Sequence, residues 1–561
     1  MTKYTHPEFV SSTPPELNGG PAPDRYPVVI IGAGPIGLAA AIDLALHQVP
    51  VVVLDDNNKV SVGSRAICWA KRTLEIYDRL GIGERMIDKG VTWQTGRLFH
   101  GDNEVFNFDL QPDTGYKMPA FINLQQYYVE QYLVERAREF PTLIDLRFLN
   151  KVTEHTLHAD GVTLDISSNY GDYQLQADYV LACDGAGSPT RKRMNLAFEG
   201  QTFEERFLIA DIEMAQAPFH SDDIAERWFW FKPPFHEGQS ALLHKQPDNI
   251  YRIDLQLGPD ADPDYEKQPD VVIPRIRQIV GDNPFELDWV SVYRFTCARL
   301  ERFVHGRLLF VGDSAHVVSP FGARGGNGGI QDVDNLAWKL AAVIHGTAPE
   351  SLLETYNTER IHGSDENIRH SAQATRFMSP VSAMERQLRD EVLSLSKDHP
   401  FARSLINSGR LSTPCHLTEL GHSAAICNDH STTDAAADST LPDSSLPGRV
   451  APDAPLQDDS WLIASLGQQF TLLTVQSNDG RDTNNLMAAM AAHPLPPLIQ
   501  PLHITNNPIV SERYGDGVFL IRPDQHIAAR WSLESITPER ITIERIKQAL
   551  AHCLRQTEAA A

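Results

Sequence analysis

The hydrophobic pattern is clearest near the N-terminus, in the stretch "YPVVIIGAGPIGLAAAIDLALHQVPVVVLDD" at residues 26–56. An apolar run is followed by a glycine-rich turn, an Ala- and Leu-rich run, a second apolar run and an acidic pair. Short apolar runs bounded by turns are typical of buried strands, and longer runs are typical of helices. The pattern predicts a βαβ unit and therefore an α/β protein with a Rossmann-type sheet.

The glycines of this turn have the spacing of a dinucleotide-binding motif. Gly32 permits the tight turn, Gly34 lets a pyrophosphate approach the backbone, and Gly37 lets the helix pack closely on the strand. Asp55 ends the second strand and is placed to bind ribose hydroxyls, which favours FAD or NAD over NADP. The predicted cofactor-binding turn consists of Gly32, Ala33, Gly34, Pro35, Ile36 and Gly37.

Two further apolar runs also end in an aspartate. "ADYVLACDGAGSPTRKRMNL" predicts a strand that ends at Asp184, and "GRLLFVGDSAHVV" predicts a strand that ends at Gly312 and Asp313. Open α/β sheets bind ligands at the carboxyl ends of their strands. A simple NAD dehydrogenase would continue with parallel βα repeats, whereas residues 90–180 indicate mixed strands, loops and one helix. This pattern argues against a simple NAD dehydrogenase.

The motifs "GAGPIG", "DGAGSPTR" and "GDSAHVVSPFGARGGNGGIQDVDNLAWKL" together resemble the class A flavin-dependent aromatic hydroxylases, the group of p-hydroxybenzoate and phenol hydroxylases. The layout is similar to that of 3-(3-hydroxyphenyl)propionate hydroxylase-like enzymes. The resemblance covers roughly residues 27–365. It implies one FAD site built from all three motifs. Many family members have Gly-Gln-Gly where this chain has Ala323, Arg324 and Gly325.

The resemblance also assigns individual residues to the cofactor. Asp313 would bind the ribityl chain, Arg65 would reach the pyrophosphate, and Gln125 would contact the flavin. Asp184 and Arg191 would contact the reduced nicotinamide, with Asp184 also serving FAD. NADH and NADPH both remain open. The residues expected to hold the flavin end are Gly312, Asp313, Pro320, Gly325, Gly326 and Asn327.

The middle of the chain reads as antiparallel strands that would cover the flavin, in "FLIADIEM", "RWFWFKPP", "SALLHK" and "NIYRIDLQLG". His244, Tyr251 and Arg252 are candidates for a proton relay or for steering an acidic ring substituent. No catalytic base is assigned. Trp228 and Trp230 in "WFWFKPP" have a spacing similar to an element of flavin-dependent halogenases.

The family resemblance implies a single-component, FAD-dependent monooxygenase that hydroxylates a single-ring phenolic compound with NAD(P)H and O2. The flavin C4a-hydroperoxide is the oxygen donor in such enzymes. The alternatives are a flavin-dependent halogenase, an oxidase, or a flavin-binding protein without catalysis.

The C-terminal part resembles the thioredoxin-like domain of the larger phenol hydroxylases, where "RPDQHIAAR" is typical, but it has no CxxC motif. Linker chemistry precedes it in "STTDAAADSTLPDSSLPGRVAPDAPL". The predicted organisation is a flexible lead at 1–26, an FAD-binding domain at 27–200 and 295–400, a substrate domain at 201–294, a linker at 401–447 and a thioredoxin-like domain at 448–561.

Composition limits the classes of partner. The 561 residues carry a formal net charge of -24, which argues against nucleic-acid binding. The apolar run near the N-terminus is short for a membrane span and contains a Gly/Pro turn. The six cysteines have no disulfide spacing, so we expect a cytoplasmic protein. The His and Cys residues near the linker match no zinc motif, so no metal is predicted. Family relatives are often dimers, which makes a homodimer the expectation.

Overall fold

The computed structural model describes residues 4–110, 114–215, 225–236, 239–406, 413–427, 441–477, 496–533 and 543–556. Strands and helices are numbered in chain order. The α-helices are α1 (Pro15–Asn18), α2 (Pro35–Leu46), α3 (Lys71–Arg79), α4 (Gly83–Lys89), α5 (Gln126–Ala137), α6 (Pro189–Arg193), α7 (Pro263–Glu266), α8 (Pro269–Val280), α9 (Gly325–Ile344), α10 (Leu353–Met378), α11 (Ala383–Ser396), α12 (Pro400–Ile406), α13 (Pro508–Tyr514) and α14 (Ile543–Cys553). Short 3-10 helices span Gly312–Ser314, Glu350–Leu352, Thr418–Ser423, Asp443–Ser445 and Leu462–Ser465.

The first sheet carries the predicted βαβ unit. Its strands are β1 (Tyr26–Ile31), β2 (Val51–Asp55), β8 (Ile144–Phe148), β9 (Asn150–Leu157), β10 (Val162–Ser168), β11 (Gly171–Ala182), β17 (Val304–His305) and β18 (Leu308–Phe310). They run in the order β17-β18-β11-β1-β2-β8, with β10 and β9 extending from β11. The strands from β18 to β8 are parallel. Helix α2 packs against α5 and α9, which buries β1 and explains its uninterrupted apolar run.

The second sheet, called the middle sheet here, has the order β19-β16-β12-β15-β14-β13-β5-β6. Its strands are β5 (Thr95–His100), β6 (Asn103–Asp109), β12 (Glu199–Glu213), β13 (Arg227–Phe231), β14 (Ser240–Lys245), β15 (Ile250–Leu257), β16 (Glu286–Arg299) and β19 (His316–Val317). The sheet therefore extends beyond the segment 201–294, because β5 and β6 come from the N-terminal part of the chain. A small third sheet contains β3 (Cys68–Ala70), β4 (Val91–Trp93) and β7 (Phe121–Asn123).

The C-terminal sheet has the order β21-β20-β22-β23. Its strands are β20 (Phe470–Gln476), β21 (Ile499–Thr505), β22 (Gly517–Ile521) and β23 (Ile527–Ser532). β20 and β21 are parallel, and the other two pairs are antiparallel. This sheet is joined to α9 and α10 by a buried ionic cluster, in which Glu359 accepts hydrogen bonds from Arg522 at 2.8 and 3.0 Å and from Lys339 at 2.9 Å.

The described part of the N-terminal lead, residues 4–26, is packed against the rest of the chain. Tyr4 stacks on Tyr127 with ring centroids 4.3 Å apart, and Phe9 is buried. Glu16 forms an ion pair with the buried Arg147 at 2.9 Å. The low apolar content of the lead does not reveal these contacts. Across the described residues, the structure contains no helix that is both long and apolar enough to span a bilayer.

Candidate active site

The glycine turn between β1 and α2 has an open face and a closed face. Gly32 has a φ of +106°, and a Cβ there would lie 2.5 Å from the carbonyl oxygen of Cys183. A Cβ on Gly37 would lie 1.9 Å from the carbonyl oxygen of Gly32. A Cβ on Gly34, in contrast, would have no heavy atom within 4 Å. Packing requires glycine at Gly32 and Gly37, whereas Gly34 leaves room for a ligand.

Asp55 holds the turn from the adjacent strand. Its Oδ2 accepts the backbone N–H of Ala33 at 2.6 Å, and its Oδ1 accepts that of Asn57 at 2.8 Å. Burial raises the pKa of the Asp55 carboxyl. The carboxylate therefore orders the loop as well as bordering the cavity beyond it.

That cavity has a volume of about 780 Å³ and runs along the carboxyl ends of the parallel strands. Its size lies within the range of about 300–1,000 Å³ that is typical of cofactor sites. The predicted cofactor residues on its wall are Gly32, Gly34, Pro35, Ile36, Asp55, Arg65, Asp184, Asp313, Pro320 and Gly326. All three sequence motifs thus meet at one cavity, and the third motif does not form a second site.

Asp184 presents an unused hydrogen-bond acceptor at this cavity. Its Oδ2 accepts the backbone N–H of Thr190 at 3.0 Å. Its buried Oδ1 has no hydrogen-bond partner among the described residues. A hydroxyl of a bound dinucleotide would satisfy that oxygen, so the donor set and the open face at Gly34 both fit FAD.

Arg191 has a different position from the one expected. Its buried guanidinium donates from Nη1 to the carbonyl oxygen of Ser314 at 2.8 Å and from Nη2 to that of Ala186 at 2.5 Å. It also lies 4.0 Å from the ring centroid of Phe198. Arg191 is not on the cavity wall, and it ties the second motif to the third.

Gln125 faces a separate cavity of about 240 Å³, where its Nε2 donates to the carbonyl oxygen of Pro247 at 3.4 Å. The neighbouring Gln126 borders the large cavity instead. Gln126 accepts the backbone N–H of Ala66 at 3.3 Å through Oε1. Because α5 begins at Gln126, a shift of one residue at the helix start decides which side chain reaches the cofactor site.

Asp332, which the sequence did not single out, fixes the third motif. Its Oδ2 accepts the backbone N–H of Gly312 at 3.0 Å and contacts His316 Nε2 at 2.6 Å. Its Oδ1 accepts a hydrogen bond from Arg360 Nε at 2.6 Å. Burial raises the pKa of the Asp332 carboxyl, but His316 and Arg360 outweigh that effect and hold the pKa below its usual value.

The glycine-rich loop at the start of α9 borders a second, smaller cavity of about 190 Å³. Asn327 holds this loop: its Oδ1 accepts the backbone N–H of Ala70 at 2.9 Å, and its Nδ2 donates to the carbonyl oxygen of Cys68 at 2.9 Å. Gly325, Gly326 and Asn327 all border the smaller cavity. The two cavities are continuous, since they share Arg65, Ala66, Trp69, Arg252, Pro320 and Gly326.

Four buried polar residues form a row across the middle sheet, on the face toward the smaller cavity. Arg227 pairs with His244, His244 pairs with Arg252, and Arg252 pairs with Asp211 on successive strands. Each is at most 4% exposed. Side chains at paired positions lie on the same face of a sheet, so the strand register assembles the row. Arg227, His244 and Arg252 line the smaller cavity.

Burial and neighbouring charges both shift pKa values along this row. Arg252 donates from Nε to Oδ1 of Asp254 at 2.7 Å. Burial raises the pKa of Asp254, but Arg252 and His244 outweigh it and hold the pKa well below its usual range. Burial and the charge of Arg227 lower the pKa of His244 to about 3, so the imidazole is neutral at physiological pH. Burial raises the pKa of Asp211 to about 6.

Arg227 carries a buried cation that no carboxylate in the described structure approaches within 4.0 Å. Its Nη1 lies 3.8 Å from Sγ of Cys68, and its buried Nε has no hydrogen-bond partner. Sequence reasoning missed this residue because it begins an aromatic strand. The available signal in the sequence was that Arg227 lies on the predicted strand immediately before the strand that contains His244.

Tyr251 and the two tryptophans of "WFWFKPP" lie on the opposite face of the middle sheet. Tyr251 and Trp230 belong to an apolar cluster there, and Trp228 packs against it. The reason is the alternation of side chains along β13 and β15, which places Arg227 and Arg252 on one face and their neighbours on the other. These tryptophans line neither the large nor the smaller cavity.

Comparisons with known proteins agree with this geometry. The FAD binding domain family matches residues 25–371. A flavin-dependent monooxygenase of Mycobacteroides abscessus is 31% identical over 350 residues, which are 60% of this chain and 71% of that protein. The 3-(3-hydroxy-phenyl)propionate/3-hydroxycinnamic acid hydroxylase of Mycolicibacterium gilvum is 29% identical over 381 residues, which are 68% of this chain and 65% of that protein.

A solved structure, that of the flavin-dependent monooxygenase PieE in complex with FAD and substrate, covers 95% of this chain and 100% of its own with a TM-score of 0.76. At 22% identity it shows the fold alone. The family match spans more than half of the chain, and the chain therefore belongs to the FAD binding domain family, whose relatives here are flavin-dependent monooxygenases. FAD is the cofactor, and NAD(P)H is the reductant typical of the family.

Proposed function

We propose that the protein hydroxylates a single-ring phenolic compound with FAD, NAD(P)H and O2. The observation that carries the proposal is the row of Arg227, His244 and Arg252, which faces the glycine-rich loop across the smaller cavity. Two cations and a neutral imidazole on one wall suit a ring whose oxygen gains negative charge as it reacts.

When bound, FAD would accept a hydride from NAD(P)H and, once reduced, would activate O2. The residues of the chain do the rest. Within the described part of the chain, neither ring nitrogen of the neutral His244 makes a hydrogen bond, and Nε2 lies 3.7 Å from Oδ2 of Asp254. The imidazole accepts a hydrogen bond from the phenol O–H. Arg227 and Arg252 stabilise the developing phenolate, and their low exposure strengthens that interaction. The N-terminus of α9, close to Gly326, favours negative charge on the cofactor side of the cavity.

Anaerobic stopped-flow absorbance tests the proposal with FAD-loaded protein and a panel of phenols, hydroxybenzoates, hydroxyphenylpropionates and nitrophenols. We expect at least one ring compound to accelerate flavin reduction by NADH or NADPH. Mixing with isotopically labelled O2 should then give a product that carries one labelled oxygen. Hydrogen peroxide as the sole product would indicate an oxidase, and an absence of turnover would indicate a non-catalytic flavin-binding protein.

We also propose that the C-terminal sheet is a thioredoxin-like domain with a packing role. The order β21-β20-β22-β23, with one parallel and two antiparallel pairs, supports this assignment. The buried ionic cluster around Glu359 and Arg522 supports the packing role, because it anchors this sheet to α9 and α10. The proposed domain at 448–561 and linker at 401–447 include segments that lie outside the described residues.

A cytoplasmic homodimer is the proposed state of the protein. All six cysteines are free thiols, which supports a reducing compartment. On α11, Met384, Leu388 and Leu395 are 81%, 63% and 45% exposed and lie on one helical face, which supports a contact between two copies. Light scattering coupled to size-exclusion chromatography would test this, and a mass of one chain would contradict it.

A further inference from the structure

A third cavity of about 80 Å³ adjoins the smaller cavity on the side away from the large one. We name it the aromatic chamber, and its main wall residues are Phe229, Phe231, Phe321, Ala374 and Phe377. It shares Arg227 and Phe321 with the smaller cavity. Arg227 is the one charged residue among the described residues that line it.

The alternation of side chains along β13 explains this placement. Arg227, Phe229 and Phe231 occupy alternate positions of the strand and therefore point to the same face. The cation lies at the end of the strand that reaches the smaller cavity, and the two phenylalanines continue the surface into the chamber. The chamber is thus a direct extension of the candidate active site, with the buried guanidinium at the junction.

Two features distinguish the chamber from a packing defect. The chamber is partly open to solvent and is lined by aromatic side chains, so an apolar group of a ligand that enters it leaves water. The Arg227 guanidinium lies 4.9 Å from the ring centroid of Phe229 and 5.6 Å from that of Trp93, and its buried Nε has no hydrogen-bond partner among the described residues, so it retains a donor for a ligand oxygen. Both features occur at the same place, and one ligand with a hydroxyl oxygen and an apolar group would use both.

We propose that the aromatic chamber binds an apolar substituent of the substrate while Arg227 donates a hydrogen bond to the phenolic oxygen of the same molecule. This inference rests on the proposed function and specifies its substrate class. An apolar cavity of about 150 Å³ accommodates benzene. The chamber has a volume of about 80 Å³, so it fits an alkyl group of about three carbons. The substrate class is therefore phenolic compounds that carry a short alkyl chain.

Equilibrium binding tests this without turnover. Phenols with straight alkyl chains from methyl to hexyl, at either the 3- or the 4-position, are titrated into oxidised FAD-loaded protein without NAD(P)H. Binding is followed by the change in the visible flavin spectrum and by calorimetry. Each buried methylene should increase affinity about fourfold, so propyl should exceed the unsubstituted phenol by about 60-fold in one of the two series. Longer chains should bring no further gain.

Two variants on α10 provide the matched comparison. Ala374→Leu fills the chamber, and we expect it to reduce the propyl-to-parent affinity ratio to about 1. Gln373→Leu adds the same side chain at the adjacent exposed position and should keep the wild-type ratio. Arg227→Met should weaken the binding of every phenol by a similar factor and keep the dependence on chain length, because it removes the hydrogen bond to the phenolic oxygen.

The outcomes separate this inference from the function on which it rests. The proposal for the aromatic chamber is overturned if affinity does not rise with chain length in either series. It is also overturned if Ala374→Leu leaves the propyl-to-parent affinity ratio unchanged. Both conclusions hold even if phenol is hydroxylated. If Arg227→Met binds all phenols as tightly as the wild type, the contact between Arg227 and the phenolic oxygen is overturned. Binding that depends on chain length without oxygenated product supports the chamber and contradicts the proposed reaction.

Discussion

The guanidinium of Arg252 donates from Nη1 to the backbone carbonyl oxygen of Arg65 at 2.8 Å. This bond joins the middle sheet to a loop that borders both the large and the smaller cavity. The same guanidinium binds Asp254 through Nε. Arg252 therefore positions the loop while it neutralises a buried carboxylate.

Arg252→Gln should lower the free energy of unfolding by about 3–5 kcal/mol, because it leaves the charge of Asp254 buried without its cation. Urea unfolding of the apoprotein near neutral pH measures the change. The double variant Arg252→Gln/Asp254→Asn should recover much of the loss, since neither charge is then present. A single variant as stable as the wild type would contradict this role of the ion pair.

Gly34 and Gly37 should respond differently to the same substitution. Gly34→Ala adds a methyl group in open space, so the apoprotein should keep its stability while FAD affinity falls at least tenfold. Gly37→Ala places a methyl group against the Gly32 carbonyl and should destabilise the apoprotein. Flavin fluorescence titration and thermal unfolding separate the two effects. Equal losses of apoprotein stability in both variants would show that Gly34 serves packing rather than the cofactor.

Local pattern was sufficient to predict most of the wall of the large cavity, whereas Gln125 and Arg191 lie away from it. The βαβ unit and the strand-terminal aspartates depend on residues that are close in sequence, and a parallel sheet brings the carboxyl ends of its strands to one edge. Gly32, Asp184 and Asp313 consequently meet at one cavity, as the motifs predict. The family resemblance assigned the loop around Gly326 to the same cavity.

The substrate half depends on strand register, which the sequence does not reveal. Sequence reasoning selected Tyr251 together with Arg252, but adjacent residues of a strand face opposite sides, and only pairing with β12 and β14 decides which side faces the cavity. The same register brings Arg227 beside His244. The addition of β5 to the middle sheet was equally hidden, because its pairing with β13 joins distant parts of the chain.

Stability between about pH 4 and pH 6 should depend on two opposing titrations. The pKa of Asp211 is raised from 3.8 to about 6, so its contribution to stability is lost as pH rises through that interval. The pKa of His244 is lowered from 6.5 to about 3, so its contribution is lost as pH falls through that interval. In the wild type the two effects partly cancel.

Single variants should reveal the two slopes. Relative to the wild type, Asp211→Asn should make the free energy of unfolding rise more steeply with pH, and His244→Gln should make it rise less steeply or fall. Urea unfolding at several pH values in this range measures both. Parallel pH profiles for the wild type and both variants would show that neither group titrates differently in the folded and unfolded states.

Ala323 occupies a backbone conformation that favours glycine. Its φ is +52°, and it lies in the loop before α9. A left-handed backbone conformation costs a non-glycine residue about 1–2 kcal/mol. Substitution by glycine removes this cost, but part of the stabilisation is offset because glycine loses more conformational entropy on folding. Ala323→Gly should therefore raise the free energy of unfolding by about 0.5–1 kcal/mol.

Ala342→Gly provides the control within α9, where the backbone is helical and the same substitution should cost about 1 kcal/mol. Urea unfolding of the two variants should thus give changes of opposite sign. Loss of stability in both would mean that the methyl group of Ala323 contributes more through packing than its backbone conformation costs. Since Ala323 borders the smaller cavity, a gain in Ala323→Gly would show that this chain accepts backbone strain beside that cavity.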